Sequence, residues 1–438
     1  MTLTNSLAGA RRSLRAHDIG TLGIVAIIAI VLGVLQSPLQ VIVDVISGVD
    51  VTGPATADSG FWGASWTRYL DDLAALALVL AALLRIRRIN KWLLIGISVW
   101  TLGLVIGLVH SLAWHLVSPS NAIELFRQVA FPTAILFAGA VMRAGERKWL
   151  SVTVIVLAVL NALYGALEWF GIRPLDPAIV AREHGVVVNP QYGLPNNFIG
   201  WWVDGSRIER VGGLFVNPPT AGIFLAVGLV FAVWTVRRVW LKVLLIVVLG
   251  LATAGTVSRA GWMVAAAGII VPLVFRYLGR IIGSLLSIAV AVLGAYMVIA
   301  NGGGKLSDGS GSVSHLTGMI AGLKDGLHNP LGRGFGFIGN FAENSTHSET
   351  LLGIGWSAGG WITLAASFVL AVVLLVDFWR SRGRRWQAAA ALGGLGAAAF
   401  AETAGALNGT IPLWLLVGIA AAMATSGRAT EENNAPRA

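Results

Sequence analysis

Cysteine is absent from the 438-residue chain, which excludes disulfides, iron–sulfur clusters and cysteine-based zinc sites and leaves no cysteine pattern to report the redox compartment. Charge is scarce as well. Only 12% of the residues are Asp, Glu, Lys or Arg, about half of the roughly 25% usual in soluble proteins. So little charge cannot solvate a core drawn from a chain that is 56% hydrophobic, and such a composition is the opposite of a disordered one. The mean hydropathy of +0.77 agrees. What remains is an integral membrane protein, expected to be all-α, a polytopic helix bundle.

A spanning helix needs about 20 mainly apolar residues. Twelve stretches meet that need, near 19–37, 69–86, 91–111, 121–142, 149–171, 213–236, 240–257, 260–277, 281–300, 350–377, 386–404 and 410–426. Several contain Gly, Ala or Pro, which membrane helices tolerate because small residues allow close approach and neighbours re-satisfy freed backbone groups. The first stretch follows Arg11, Arg12 and Arg15, as a signal peptide would. Its length, the lack of a small-x-small cleavage site and the eleven spans after it point instead to a retained helix. The expected organisation is a cytoplasmic segment (1–18), a twelve-helix membrane domain (19–426) and a cytoplasmic tail (427–438).

Charge then sets the orientation. With the N-terminus inside, the inner segments hold 21 of the 31 lysines and arginines and a net charge of +16. All outer segments together carry a net −6. Basic short loops confined to one side are the positive-inside pattern, so both termini are expected in the cytoplasm. The formal net charge of +10 thereby reflects topology and requires no nucleic acid.

Three outer segments are long, near 38–68, 172–212 and 301–349, and loops of that length are usually functional or disordered. The short inner loops leave no room for a catalytic or nucleotide-binding domain. Any chemistry is therefore expected on the extracytoplasmic face.

Ionisable groups at the outer helix ends are the informative ones, because charge inside a bilayer is costly. Arg259 lies midway between the inner cations Lys242 and Arg276, each leg about 25 Å long at 1.5 Å per residue. It therefore belongs on a tight outer hairpin, Val257-Ser258-Arg259-Ala260-Gly261, either as a functional group or as a snorkelling interfacial arginine. Arg207, Glu209 and Arg210 precede Gly212-Gly213-Leu214-Phe215-Val216-Asn217-Pro218-Pro219. The Gly pair and Pro pair mark a bent start to the sixth span. Exposed amides at such a start, beside a guanidinium, favour an anion such as phosphate. Arg127 sits three residues after Glu124 and reads as half of an internal ion pair. Of the seven histidines, His347 closes the third outer loop just before the tenth span, where an imidazole is suited to act as a base near neutral pH. Asp71, Asp72 and the acidic first loop (Asp44, Asp50, Asp58) could hold a divalent cation, but their spacing is no metal-binding signature. There is no Walker phosphate loop, and Gly332 to Gly336 reads as a flexible turn because no strand precedes it.

Three of these stretches together resemble the O-antigen ligase/polymerase superfamily. The Arg210-to-Pro219 segment resembles its "Arg…Gly-x-Phe…Asn-Pro" element, and Thr256 to Gly261 its "Ser-Arg" hairpin. Asn329 to Gly336, then His347 and the helix through Gly353 to Gly360, resembles its Gly-rich block with a following His. The matching region runs from about Arg207 to Val376. It departs from the family pattern at Ser348, where many relatives have Asn, and at Trp356 and Ser357, where a Glu-x-Gly element is usual.

The resemblance implies an inverting, metal-independent glycosyltransferase of the bacterial inner membrane with no cofactor. Its donor would be a glycan on an undecaprenyl-diphosphate carrier at the outer leaflet. His347 would be the general base, Arg210 and Arg259 would bind the diphosphate, and Arg333 and Arg207 would assist. The acceptor would be a lipid-linked repeat unit for a polymerase or lipid A core for a ligase. Long outer loops after spans five and nine resemble the polymerase layout, and a polymerase would work with a chain-length regulator. Two other classes compete. A flippase or transporter would line a central path with polar residues, whereas here the charges gather at the outer ends. A metal-dependent polyprenyl-phosphate-sugar enzyme would depend on Asp44, Asp50 or Asp58.

A cysteine-free chain makes the topology directly readable by single-cysteine labelling. An impermeant maleimide should reach Ser310→Cys in intact cells and Ser426→Cys only once the membrane is opened; the reverse pattern contradicts the orientation.

Overall fold

The computed structural model describes residues 19–47, 70–175, 188–189, 194–195, 198–201, 207–285, 311–338 and 350–426. The expected terminal segments 1–18 and 427–438, with Asp50, Asp58 and His347, lie outside them. The described chain is helical almost throughout: α1 (Gly20–Ser47), α2 (Leu70–Leu83), α3 (Lys91–Ala113), α4 (Pro119–Ala140) and α5 (Ala144–Trp169). Then come α6 (Pro218–Thr235), α7 (Val239–Gly255), α8 (Arg259–Leu285), α9 (Gly311–His328), α10 (Leu351–Arg380), α11 (Trp386–Phe400) and α12 (Leu407–Thr425). Two short antiparallel ladders lie between α5 and α6: β1 (Val188–Asn189) with β2 (Leu194–Pro195), and β3 (Ile199–Trp201) with β4 (Arg207–Glu209).

Among the described residues eight helices are long and apolar enough to cross a membrane: α1, α3, α4, α5, α6, α8, α10 and α12. Two further apolar helices are shorter, Asp72–Leu83 within α2 and α7. At 1.5 Å per residue the 17 residues of α7 reach about 25 Å, less than the roughly 30 Å hydrocarbon core. The expected eighth stretch lies within one helix that runs from Arg259 to Leu285, and the ninth continues beyond the described residues. Other boundaries also move. Helix α1 runs on to Ser47, past the expected end at 37. The sixth span begins as a single 3-10 turn, Gly213–Phe215, before α6 starts at Pro218. The third outer segment, read as a loop, contains α9.

Side chains set the helix starts. Asn90 accepts the Trp92 amide at 2.9 Å to begin α3, Ser118 precedes Pro119 at α4, and Ser258 and Thr350 accept the Gly261 and Gly353 amides at α8 and α10. Such caps pair amides that a helix start leaves open, and proline in the first turn has no amide to pair. Inside α8 a π-helical segment, Ala266–Ile270, widens one turn, and the Trp234 indole donates to the Gly268 carbonyl at 2.8 Å.

Helices α6 and α12 form the centre, each with 78% of its most apolar window buried, against 17% for α10 and 22% for α3. Helix α12 packs on α1, α4, α6 and α11, and α6 packs on α5, α7 and α8. Apolar packing in lipid has no water to escape from, so contact depends on shape. At the α4–α12 crossing a Cβ on Gly418 would lie 1.9 Å from the Leu136 carbonyl oxygen, and one on Gly139 2.2 Å from that of Leu415. Only glycine permits this backbone approach. On the outside, Ile28, Trp92, Leu102, Val156, Leu251 and Phe368 are exposed, as expected of faces turned toward acyl chains.

The basic end of the bundle is tied by a buried ion pair. Glu146 is fully buried; its carboxylate accepts both bonds from Arg85 Nη1, at 2.7 and 2.8 Å, and a third from the Arg143 amide at 2.8 Å. Removing one partner of a buried pair typically costs roughly 3–5 kcal/mol because the other charge is left uncompensated. Arg85→Ala should therefore unfold well below the wild type in a detergent melt. Arg85→Ala/Glu146→Ala should recover part of the loss, and additive losses would show that the two residues act separately.

Candidate functional site

The bent segment before α6 is where backbone departs from helix within the bundle. Three of its amides are paired by one helix, α5. Glu168 Oε2 accepts the Gly212 and Gly213 amides at 2.9 and 2.7 Å, and Asn161 Oδ1 accepts that of Leu214 at 2.7 Å. Ser37 of α1 donates to the Phe215 carbonyl at 3.1 Å, and the Val211 amide donates to Gly255 at the end of α7, also at 3.1 Å. Gly213 and Val216 both adopt left-handed φ, +60° and +49°. Glycine takes this φ freely, whereas for a β-branched residue it is a strained outlier. Here Val216 is held by the contacts on either side of it.

Arg210 stands at the head of this turn. Its amide donates to the Phe198 carbonyl at 2.9 Å, and its guanidinium to the Thr256 and Val257 carbonyls at 2.9 and 3.4 Å. Those two carbonyls belong to the hairpin that leads, two residues on, into Arg259, the first residue of α8. Ser258 is buried and donates to the Pro219 carbonyl at 3.1 Å, which ties the hairpin to the start of α6. A Cβ on Gly222 would strike the Ser258 side chain at 2.2 Å, so the contact is close. Two arginines nearly fifty positions apart are thus brought to one corner. The Arg259 side chain is exposed there. Arg207 lies on β4, in register with Trp201.

Arg333 is held elsewhere, on the loop that joins α9 toward α10. This loop turns through Gly332, Gly334 and Gly336, all with positive φ, and it docks where α10 is broken at Gly360. The Arg333 amide donates to the Ser357 carbonyl at 2.8 Å, its guanidinium pairs with Asp325 at 3.2 Å and lies 4.1 Å from the Phe337 ring centre. Ser357 in turn donates to the other Asp325 oxygen at 2.9 Å. Asp325, from the last turn of α9, thus supplies a carboxylate beside the positions where the resemblance lacks its Glu. The described contacts do not join this cluster to the Arg210 corner.

Arg127 is the internal partner expected: it pairs with Glu124 at 2.8 Å and also with Asp72. Asp72, one of the acids weighed for a cation, is engaged in that pair.

Sequence reasoning missed Asn161, Glu168 and Asp325. A signal existed for the first two. They are polar, seven residues apart and so on one helical face, within an otherwise apolar span, where a polar group is a functional candidate by default. At the same end of the bundle several buried polar atoms have no partner among the described residues. They are Glu168 Oε1, Asn161 Nδ2, Asn217 Oδ1, Thr220 Oγ1 and Asn408 Oδ1. Thr220 and Gly409 touch across the starts of α6 and α12.

Comparison with protein families, with curated proteins and with solved structures finds no match for this chain.

Hydrogen bonds to a charged group contribute about 1.5–3 kcal/mol each. Glu168→Ala should therefore accelerate amide exchange at Gly212 and Gly213 by tenfold or more, while Glu168→Gln, which keeps a carbonyl oxygen, should accelerate it less. Unchanged protection in Glu168→Ala would show that the turn is held by other groups.

Proposed function

We propose that the chain is an inverting membrane glycosyltransferase that takes its glycan from an undecaprenyl-diphosphate carrier at the outer leaflet. The observation that supports this most is the anchoring of the Arg210 guanidinium on the hairpin that leads into Arg259. Breaking a glycosyl–diphosphate bond leaves negative charge on the departing phosphate. Guanidiniums fixed in a site of low dielectric stabilise that charge where it develops, and Arg does so with paired donors where Lys offers a point charge.

In this reading the acceptor hydroxyl gives its proton to His347, assigned by resemblance. Its oxygen then attacks the anomeric carbon opposite the diphosphate. The carbon–oxygen bond to the diphosphate breaks, its electron pair leaves with the phosphate, and the anomeric configuration inverts. General-base assistance of this kind is typically worth roughly 10²–10⁴-fold. The unpartnered oxygens of Asn217, Thr220 and Asn408 and the Asn161 amide suit a hydroxyl-rich ligand, since hydroxyls both donate and accept. Arg207 and Arg333 are helpers by resemblance, and Arg333 is held by Asp325 away from the Arg210 corner. The twelve-span arrangement, cytoplasmic termini, inner-membrane location and extracytoplasmic site belong to the same proposal.

The acceptor is proposed to be a second lipid-linked repeat unit, which makes the enzyme a polymerase of surface polysaccharide. Ligation to lipid A core would use the same donor and the same chemistry.

In proteoliposomes supplied with lipid-linked glycan, Arg259→Ala and His347→Ala should each reduce transfer by at least 10²-fold while the protein still inserts and purifies. Arg259→Lys should recover only part of the activity. EDTA should leave the wild type active. Retained transfer in both alanine variants, or movement of the lipid-linked glycan across the bilayer without transfer, would end the assignment.

A further inference from the structure

A second site lies at the opposite end of the bundle from Arg210. Between the first turns of α5 and α11 and the last turns of α6 and α12 there is a cavity of about 270 Å³. On helix α5 alone, Ser151 of this cavity and Glu168 of the bent turn are separated by about 25 Å at 1.5 Å per residue. The polar part of its lining is Arg147, Lys148, Ser151, Thr235 and Gln387. Among the described residues no carboxylate lines it. Arg147 Nε is fixed on the Met142 carbonyl at 3.2 Å. The Lys148 side chain is exposed. Helix α11 begins without a side-chain cap, and its first residues, Trp386 and Gln387, form part of the wall.

The rest of the lining is apolar, with Phe231, Leu416, Ile419 and Met423. Trp386 is held in place there, stacked on Trp234 with 6.3 Å between ring centres and edge-on to Phe231 at 5.8 Å. A cavity with two cations on one side and a rigid apolar wall on the other is amphipathic. Free phosphate would satisfy only the first half. A phosphodiester that continues into glycerol and acyl carbon satisfies both, and basic pockets between helices at the positively charged end are where acidic lipid headgroups bind.

We propose that this cavity binds the headgroup of an acidic phospholipid from the cytoplasmic leaflet. Its phosphodiester sits against Arg147 and Lys148, and its glycerol and first acyl carbons lie along Trp386, Ile419 and Met423. The lipid bridges α5, α6, α11 and α12, so its binding stabilises the whole bundle by mass action.

The test uses the full-length protein in an uncharged detergent, with thermal unfolding followed as phosphatidylglycerol, phosphatidylcholine or inorganic phosphate is added separately. Phosphatidylglycerol should raise the midpoint by several degrees, and the other two should leave it unmoved. From about a fivefold effect per charge, Lys148→Gln should shift the half-effective lipid concentration about fivefold. Arg147→Gln/Lys148→Gln should shift it roughly thirtyfold. Ser151→Trp, which fills the cavity, should abolish the response, and Lys242→Gln, on the same basic end but outside the cavity, should retain it. An equal response to phosphatidylcholine, a response reproduced by phosphate, or an unaltered response in Lys148→Gln would overturn the proposal.

Discussion

Inside lipid no water is present to satisfy a peptide group that has left a helix. This constraint governs the largely buried segment from Val211 to Asn217, which includes the 3-10 turn Gly213–Phe215. Glu168, Asn161, Ser37 and the carbonyl of Gly255 pair its polar groups from three separate helices. The same side chains that make the bend tolerable also hold it still. Arg210, one residue upstream, inherits a fixed position, and its own bonds to Thr256 and Val257 carry that rigidity to Arg259. A second departure from helix follows the same rule. Ser111 donates to Phe335 O and accepts the Phe335 amide, and the loop from Asn329 to Gly336 fills the break in α10 at Gly360.

Both departures draw on partners far away in sequence, and this decides what was legible beforehand. Long apolar runs are local information, so α1, α3, α4, α5, α10 and α12 could be read from length and composition alone. The turn at Arg259 was legible for a similar reason, because it lies midway between the cations Lys242 and Arg276. Asn161 and Glu168 serve amides about fifty positions downstream, and no short window shows that. Helix α9 was hidden because Gly, Ser and His interrupt its apolar positions, and its fold comes from packing on α10. Asp325 was invisible until that packing set it against Ser357 and Arg333. Of the twelve apolar runs, eight correspond to described helices long and apolar enough to cross a membrane.

The two ends of the bundle divide along one physical line. At the end that carries Arg210 and Arg259 the backbone is bent, and the Arg210 guanidinium is anchored on the Thr256 and Val257 carbonyls. At the other end Glu146 and Asp377 neutralise Arg85 and Arg385 directly, and short basic loops leave Lys148 and its neighbours to face lipid. Carbonyl anchoring fixes the position of a guanidinium, while pairing a cation with a buried carboxylate ties helices together. Helices α6 and α12, buried along most of their length, connect the two ends.

The central claim is that one corner of the bundle grips a diphosphate. An experimental structure of the protein with a polyprenyl-diphosphate glycan bound tests it most directly. The account predicts phosphate density within hydrogen-bonding reach of both the Arg210 and the Arg259 guanidiniums, beside the start of α6. A diphosphate seated elsewhere, with these two arginines making no contact to it, would contradict the account.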